Sequence, residues 1–441
     1  MQRSKHPIYA GALCLTLSGL LCRFIGFYYK IFLSRAIGAK ELGLYQLSMP
    51  LLGIGIALAN SGIHTAISKY VAGASATSKA KAKNYLYTGL AVSLSLGLGY
   101  ALICFQLADY IATYIFFEPA IAGLLKILAF CVPLECIHGC INGYYYGLQK
   151  AIIPSCGQCI EQLIRVGCVF GIYYLLQQEN TPFTKTHAMY GLLLGELAAT
   201  LYYLTVLSFQ SHEKCHKPIK EKFLPELFQM AVPVTATRLS LTFLTSFENI
   251  MIPLQLVCFG LSNTQALSIY GIYSGMAVPM VFFPTVLSNS IAVMLLPSIS
   301  RAKEEGKNSY IRHSVSLGFT LCMLLGFACA FFFYCFGGFI GETIFHNQVA
   351  GIYIKTLGWL CPFLFLGVTM SSILNGLGNT KDTFFISLFA AGIRLIFIMF
   401  FIRQFGFRAF LLGVLISQIT SSFLSYGRLV FITQRGSDQK V

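Results

Sequence analysis

Twelve apolar segments follow one another along this chain, separated only by short polar connections. A helix needs roughly 20 apolar residues to cross a bilayer. The segments run over residues 9–33, 43–67, 85–108, 121–147, 152–176, 187–209, 225–255, 265–297, 310–336, 350–376, 383–402 and 408–432. Backbone polar groups in hydrocarbon must be satisfied within the segment, so each is read as a helix. The reading is an all-α integral membrane protein of about 12 transmembrane helices, with Pro233, Pro279, Pro284 and Pro362 as natural kink points. Of the 441 residues only 11% are charged, where a soluble domain has about 25%. That excludes a soluble globule, a disordered chain and a disulfide-stapled secreted module. The first segment is longer than the apolar core of a signal peptide and is read as a retained helix.

The charges are lopsided, with 31 Lys and Arg against 16 Asp and Glu, a net +15. Loops after even-numbered helices collect most of the excess, including Lys79, Lys81, Lys83, Lys150, Lys217, Lys303 and Lys381. Both termini join them with Arg3, Lys5, Arg435 and Lys440. Loops after odd-numbered helices carry few basic residues, and those near Glu118, Asn263 and Glu342 carry none. Short cytoplasmic loops are the basic ones, which puts both termini of a multi-pass membrane protein in the cytoplasm. A nucleic-acid partner is excluded, because the charges are scattered and no domain gathers them.

The fourth and fifth helices repeat in the tenth and eleventh. Lys126, Leu128, Pro133, Gly147, Leu148 and Arg165 each find the same residue 229 positions on, as Lys355, Leu357, Pro362, Gly376, Leu377 and Arg394. The halves are then an N-terminal six-helix lobe, 1–210, a basic cytoplasmic linker, 211–222, and a C-terminal six-helix lobe, 223–441. Six spans per half give a parallel repeat, the layout of many transporters with a cavity between two lobes.

Ionisable groups at membrane depth are costly and usually face a cavity or a partner. On the first helix Thr16, Gly19, Arg23, Gly26 and Lys30 share one face, which reads as a site for an anionic phosphate headgroup or as a packing face. The fifth carries Gln158, Glu161, Gln162 and Arg165 on one face, with Glu161 and Arg165 at ion-pair spacing. The seventh carries Arg238, Thr242, Thr245 and Asn249 in register, and its Glu248 lies on another face. Arg394 has no charged partner on its own helix, so it must pair across helices or face water. Substrate contact is assigned to Arg23, Lys30, Glu161, Arg165, Arg238, Asn249 and Arg394. Glu196, Glu248 and Glu135, the last beside His138, are candidate sites for Na+ or proton coupling. No other cofactor is implied.

No nucleophile elbow, phosphate loop, zinc motif or catalytic carboxylate pair is present, and the loops are too short to hold an active site. The fifteen cysteines lie almost all in apolar stretches, the Cys156-Gly-Gln-Cys159 pair included, and are read as small packing residues. Transport rather than enzyme chemistry is the economical reading.

Several stretches then carry a resemblance. Arg23-Phe-Ile-Gly-Phe-Tyr-Tyr-Lys30, Arg35-Ala-Ile-Gly38, Gly43-Leu-Tyr-Gln-Leu-Ser-Met-Pro50, Glu161-Gln-Leu-Ile-Arg165, Tyr270-Gly-Ile-Tyr-Ser-Gly-Met-Ala277, Leu295-Leu-Pro-Ser-Ile-Ser300 and Ile373-Leu-Asn-Gly-Leu-Gly378 resemble the stage V sporulation protein B group. That group sits in the polysaccharide transporter branch of the multidrug/oligosaccharidyl-lipid/polysaccharide (MOP) superfamily. The resemblance spans essentially the whole chain. It implies a MATE-like flippase fold and translocation of an undecaprenyl-pyrophosphate-linked sugar or peptidoglycan precursor by alternating access. It also implies contact with the bilayer and with wall-synthesis enzymes, and a monomer. The lipid II flippases are relatives, and their first-helix arginine falls on Arg23. Their next arginine and the aspartate after it fall on Tyr29 and Lys30, and an arginine pair of their second helix falls on Gly53 and Ile54. Most of that arginine cluster is therefore missing. The rival reading within the superfamily is a cation-coupled multidrug antiporter.

Overall fold

In the computed structural model, which describes residues 5–75, 78–210, 223–305 and 308–438, nearly every described residue is helical. Each of the twelve predicted segments falls on a helical rod. We number these α1 (residues 5–37), α2 (39–75), α3 (Lys79–Gln106), α4 (Ala122–Gly147), α5 (Ile152–Gln178), α6 (Lys185–Gln210), α7 (Phe223–Cys258), α8 (263–304), α9 (Asn308–Thr343), α10 (348–376), α11 (380–405) and α12 (Phe407–Asp438). Among the described residues nine helices are long and apolar enough to cross a membrane, or ten if a pair bent by 53° at residues 359–360 counts as one span. One of the nine, Leu17–Ser75, holds 59 residues, roughly 90 Å of helix against a hydrocarbon core of about 30 Å. It therefore crosses as two spans, α1 and α2, and the break falls at Gly38 (φ 75°, ψ 174°). The rod α8 is made of shorter pieces, interrupted by a π-helical turn at Ile272–Ala277 and by the break at residues 283–284 before Thr285. The predicted linker 211–222 and the terminal Arg3 and Lys440 lie outside the described residues.

The internal repeat is written in the backbone at the turns. Positive φ occurs at Gly38, Phe117, Gln149, Asn180, Gly260, His346, Gly378 and Gly406. These form four pairs at equivalent junctions: Gly38 with Gly260, Phe117 with His346, Gln149 with Gly378, and Asn180 with Gly406. Two of the pairs keep the 229-residue spacing of the sequence repeat.

By contacts the chain forms two compact units, Met1–Ile37 with Leu44–Phe247, and Gly38–Gly43 with Glu248–Val441. The sequence reading starts the second half at residue 223, whereas residues 223–247 of α7 sit in the first unit. The cause is specific packing. Glu226 accepts a hydrogen bond from Tyr85 of α3, and the Phe223 ring meets Tyr85 edge-on at 4.8 Å. Gly62 of α2 lies tight against Ala231 and Thr235. Ser246 Oγ donates to the Pro50 carbonyl at 3.4 Å. Phe223, Leu227 and Ala231 thereby join a core with Ile67, Leu86, Ile141, Tyr145 and Tyr203.

The second unit contains a close backbone crossing. A Cβ on Gly271 would run into the Ala39 carbonyl oxygen and Gly43, and one on Gly43 would strike the Leu267 carbonyl. No side chain fits there without separating the backbones. Gly271→Ala is expected to cost about 1–3 kcal/mol through overpacking, seen as a lower unfolding midpoint of the purified protein in detergent. An unchanged midpoint would show that the crossing relaxes freely.

Candidate functional site

The polar face of α5 meets α1 on one side and α6 on the other. A Cβ on Gly26 would come 3.2 Å from Gln162 Nε2, so part of the small-residue face of α1 packs on α5. Around Gly19 there is open space, and Arg23, one turn along, is exposed. Lys30 is half-buried. Among the described residues neither Arg23 nor the exposed Arg238 has an acidic side chain within ion-pair distance.

Arg165 forms the expected pair with Glu161 one turn earlier, and its Nη2 also lies 3.5 Å from Glu196 Oε1 of α6. Glu196 Oε2 is 2.8 Å from His138 Nε2 of α4, and the same nitrogen is 3.2 Å from Glu135 Oε2. Glu135 and His138 are three residues apart, which places both on one helix face. Asn60 completes the group, with its Nδ2 donating to Glu135 Oε1 at 3.1 Å. The π-helical turn of α2 carries Asn60, and such turns re-aim side chains within a helix. Gly139 makes room, since a Cβ there would overlap the Asn60 amide. The Tyr203 ring stacks on His138 at 5.9 Å, and Thr200 Oγ1 donates to the Glu196 carbonyl at 2.8 Å. His138 and Glu196 keep only 6% and 7% of their side-chain exposure. One ligand atom each of Glu135, His138 and Glu196 lies within 4.8 Å of the others, close enough to share a cation.

The second unit holds a simpler arrangement. Arg394 of α11 grips Glu248 of α7 with two hydrogen bonds, Nε to Oε2 at 2.8 Å and Nη2 to Oε1 at 3.0 Å. Of the two fates open to Arg394, pairing across helices is the one realised. Asn249 is half-buried beside Glu248 in sequence. Nine residues further along α11, Arg403 Nε donates to Gln255 Oε1 at 2.6 Å.

Asn249 aside, the predicted residues separate into three sets. Glu135, Glu161, Arg165 and Glu196 come together in one network. Glu248 and Arg394 neutralise each other. Arg23, Lys30 and Arg238 remain as cations of the first unit outside both groupings. Sequence reading missed Asn60 altogether, and it treated His138 only as a neighbour of Glu135. The Glu135-Cys-Ile-His138 spacing was the available signal. The thirteen described cysteines are all free, and Cys22 Sγ lies 3.8 Å from Cys159 Sγ.

The sequence profile of the polysaccharide biosynthesis protein family matches residues 8–303, two thirds of the chain. The chain belongs to that family. A second profile, MatE, matches residues 240–400. Among relatives of the family member described here is the stage V sporulation protein B of Bacillus subtilis (strain 168), 24% identical over 379 residues, covering 82% of this chain and 71% of that one. In structure the family member is similar to an inward-facing multidrug resistance MATE family transporter of the MOP superfamily, with a TM-score of 0.74 at 16% identity over 95% of this chain and 96% of the other. An outward-facing MATE transporter of the superfamily gives 0.69 at 16% identity, over 98% and 96%. The fold is therefore the all-α MATE-like fold of MOP membrane transporters.

Proposed function

We propose that the protein is a flippase that moves a lipid-linked oligosaccharide or peptidoglycan precursor across the bacterial cytoplasmic membrane by alternating access. The observation that carries this reading is the division of charge at membrane depth. The carboxylates of the spans are engaged: Glu161 and Glu196 with Arg165, Glu196 and Glu135 with His138, and Glu248 with Arg394. Of the predicted cations at membrane depth, Arg23, Lys30 and Arg238 have no acidic partner among the described residues. Exposed guanidinium groups in a membrane protein suit a pyrophosphate, whose oxygens match their planar fork. Arg23 and Arg238 hold the pyrophosphate in this proposal, with Lys30 adding charge. Arg165 and Arg394 are held back by their glutamates and act on the substrate only through the shape of their helices. Basic even-numbered loops support cytoplasmic termini.

The MatE match favours a second reading, a cation-coupled multidrug antiporter. A cationic drug calls for exposed carboxylates in the binding region, whereas Glu135, Glu161, Glu196 and Glu248 are hydrogen-bonded and largely buried. The deciding experiment is transfer of a fluorescent undecaprenyl-pyrophosphate-linked sugar in proteoliposomes. Transfer above protein-free vesicles is expected. Its absence, combined with raised drug resistance on overexpression, would replace the flippase by the antiporter.

A further inference from the structure

The Asn60–Glu135–His138–Glu161–Arg165–Glu196 network carries more negative charge than its own cations remove. Glu135, Glu161 and Glu196 supply three carboxylates, and Arg165 supplies one guanidinium. With His138 protonated between its two carboxylates the balance is one negative charge, and with a neutral imidazole it is two, in surroundings where His138 and Glu196 are almost fully buried. Uncompensated charge of that kind is expensive at membrane depth. A single divalent cation that takes the place of the imidazole proton brings the total to zero.

The donor atoms are arranged for one. Asn60 Nδ2 holds Glu135 Oε1 at 3.1 Å, and Arg165 Nη2 lies against Glu196 Oε1 at 3.5 Å. That leaves the Oε2 atom of each carboxylate beside His138 Nε2, at 3.2 and 2.8 Å. One nitrogen carries at most one hydrogen, so two carboxylate oxygens compete for it. Ligand atoms each about 2.1 Å from a metal lie roughly 3 Å from one another, and these spacings are of that size. Orientation of ligating carboxylates by an amide and a guanidinium is the outer-shell pattern of metal sites. A glutamate and a histidine three residues apart on one helix, joined by a glutamate from another, is a donor pattern that helical bundles use for metals. The buried Nε of Arg165 has no hydrogen-bond partner among the described residues.

We propose that Glu135, His138 and Glu196 bind one divalent transition-metal ion, with Arg165 and Glu161 balancing charge around it. Carboxylate donors with a single imidazole suit Mn2+, Fe2+ or Zn2+, and no thiolate joins the set to select a softer metal. The ion joins α4 to α6 across the network. The inference needs only side chains of the first unit and stands whatever lipid the protein moves.

The test uses the full-length protein purified in detergent and stripped with a chelator. Mn2+ is titrated in, and its binding is read from loss of the free-ion paramagnetic resonance signal. About one Mn2+ per chain is expected, and Zn2+ should compete for it. His138→Gln and Glu196→Gln should each weaken binding at least ~100-fold, and Asn60→Ala ~10- to 100-fold. Asp109→Asn, at an exposed surface pair, serves as the unchanged control. If His138→Gln does not fold, Glu196→Gln, which keeps size and a hydrogen-bonding end, decides alone. A monodisperse wild type that takes up neither ion at millimolar concentration would overturn the proposal. So would variants that bind as well as wild type, or stabilisation by Na+ with no response to Mn2+ or Zn2+.

Discussion

Arg23→Ala is expected to lower transfer of the labelled lipid-linked sugar roughly 100-fold while the protein still accumulates in the membrane. The magnitude follows from one charge-assisted contact of ~3 kcal/mol at about 1.4 kcal/mol per factor of ten. Arg23 is exposed, and no acidic side chain among the described residues depends on it. Truncating it therefore orphans no buried charge, and folding should be spared. Arg23→Lys should keep part of the rate, because a point charge replaces the planar fork without matching two phosphate oxygens. Full activity in Arg23→Ala would remove the central claim about the substrate.

The largest effect on stability is expected at the Glu248–Arg394 pair. Glu248 is 7% exposed, and both carboxylate oxygens accept from Arg394. Glu248→Gln leaves a guanidinium in the span with a weakened partner. Breaking a buried pair from one side costs about 3–5 kcal/mol, whereas removing both partners costs far less. The double variant Glu248→Gln/Arg394→Gln should therefore recover most of the loss in thermal unfolding of the detergent-solubilised protein. The interaction term of that cycle measures the pair. A single variant as stable as wild type would mean that water reaches Arg394 readily and that the arginine is available to substrate after all.

Much of the architecture was legible because bilayer chemistry is blunt. Length and apolarity mark each span. The Glu161–Arg165 pair was legible too, since it lies within one helix and spacing decides it. Pairs between helices were not. Arg394 meets Glu248 across 146 residues and His138 meets Glu196 across 58, and neither distance is set by local periodicity. They depend on how far each helix rotates when it packs. Asn60 was hidden for another reason. A π-helical turn shifts the phase of α2, so a regular 3.6-residue reading assigns it the wrong direction. The division of α7 between the compact units rests on Tyr85, Glu226 and Gly62, three residues that no motif connects.

The paired corners have a consequence beyond the fold. Phe117 and His346 share no chemistry, nor do Asn180 and Gly406, yet each pair takes a positive φ at the corresponding junction. Duplication has kept the path and released the residues. The chain is thus an alignment of two sequences to itself. What one copy tolerates at a bend is a natural experiment already run on the other.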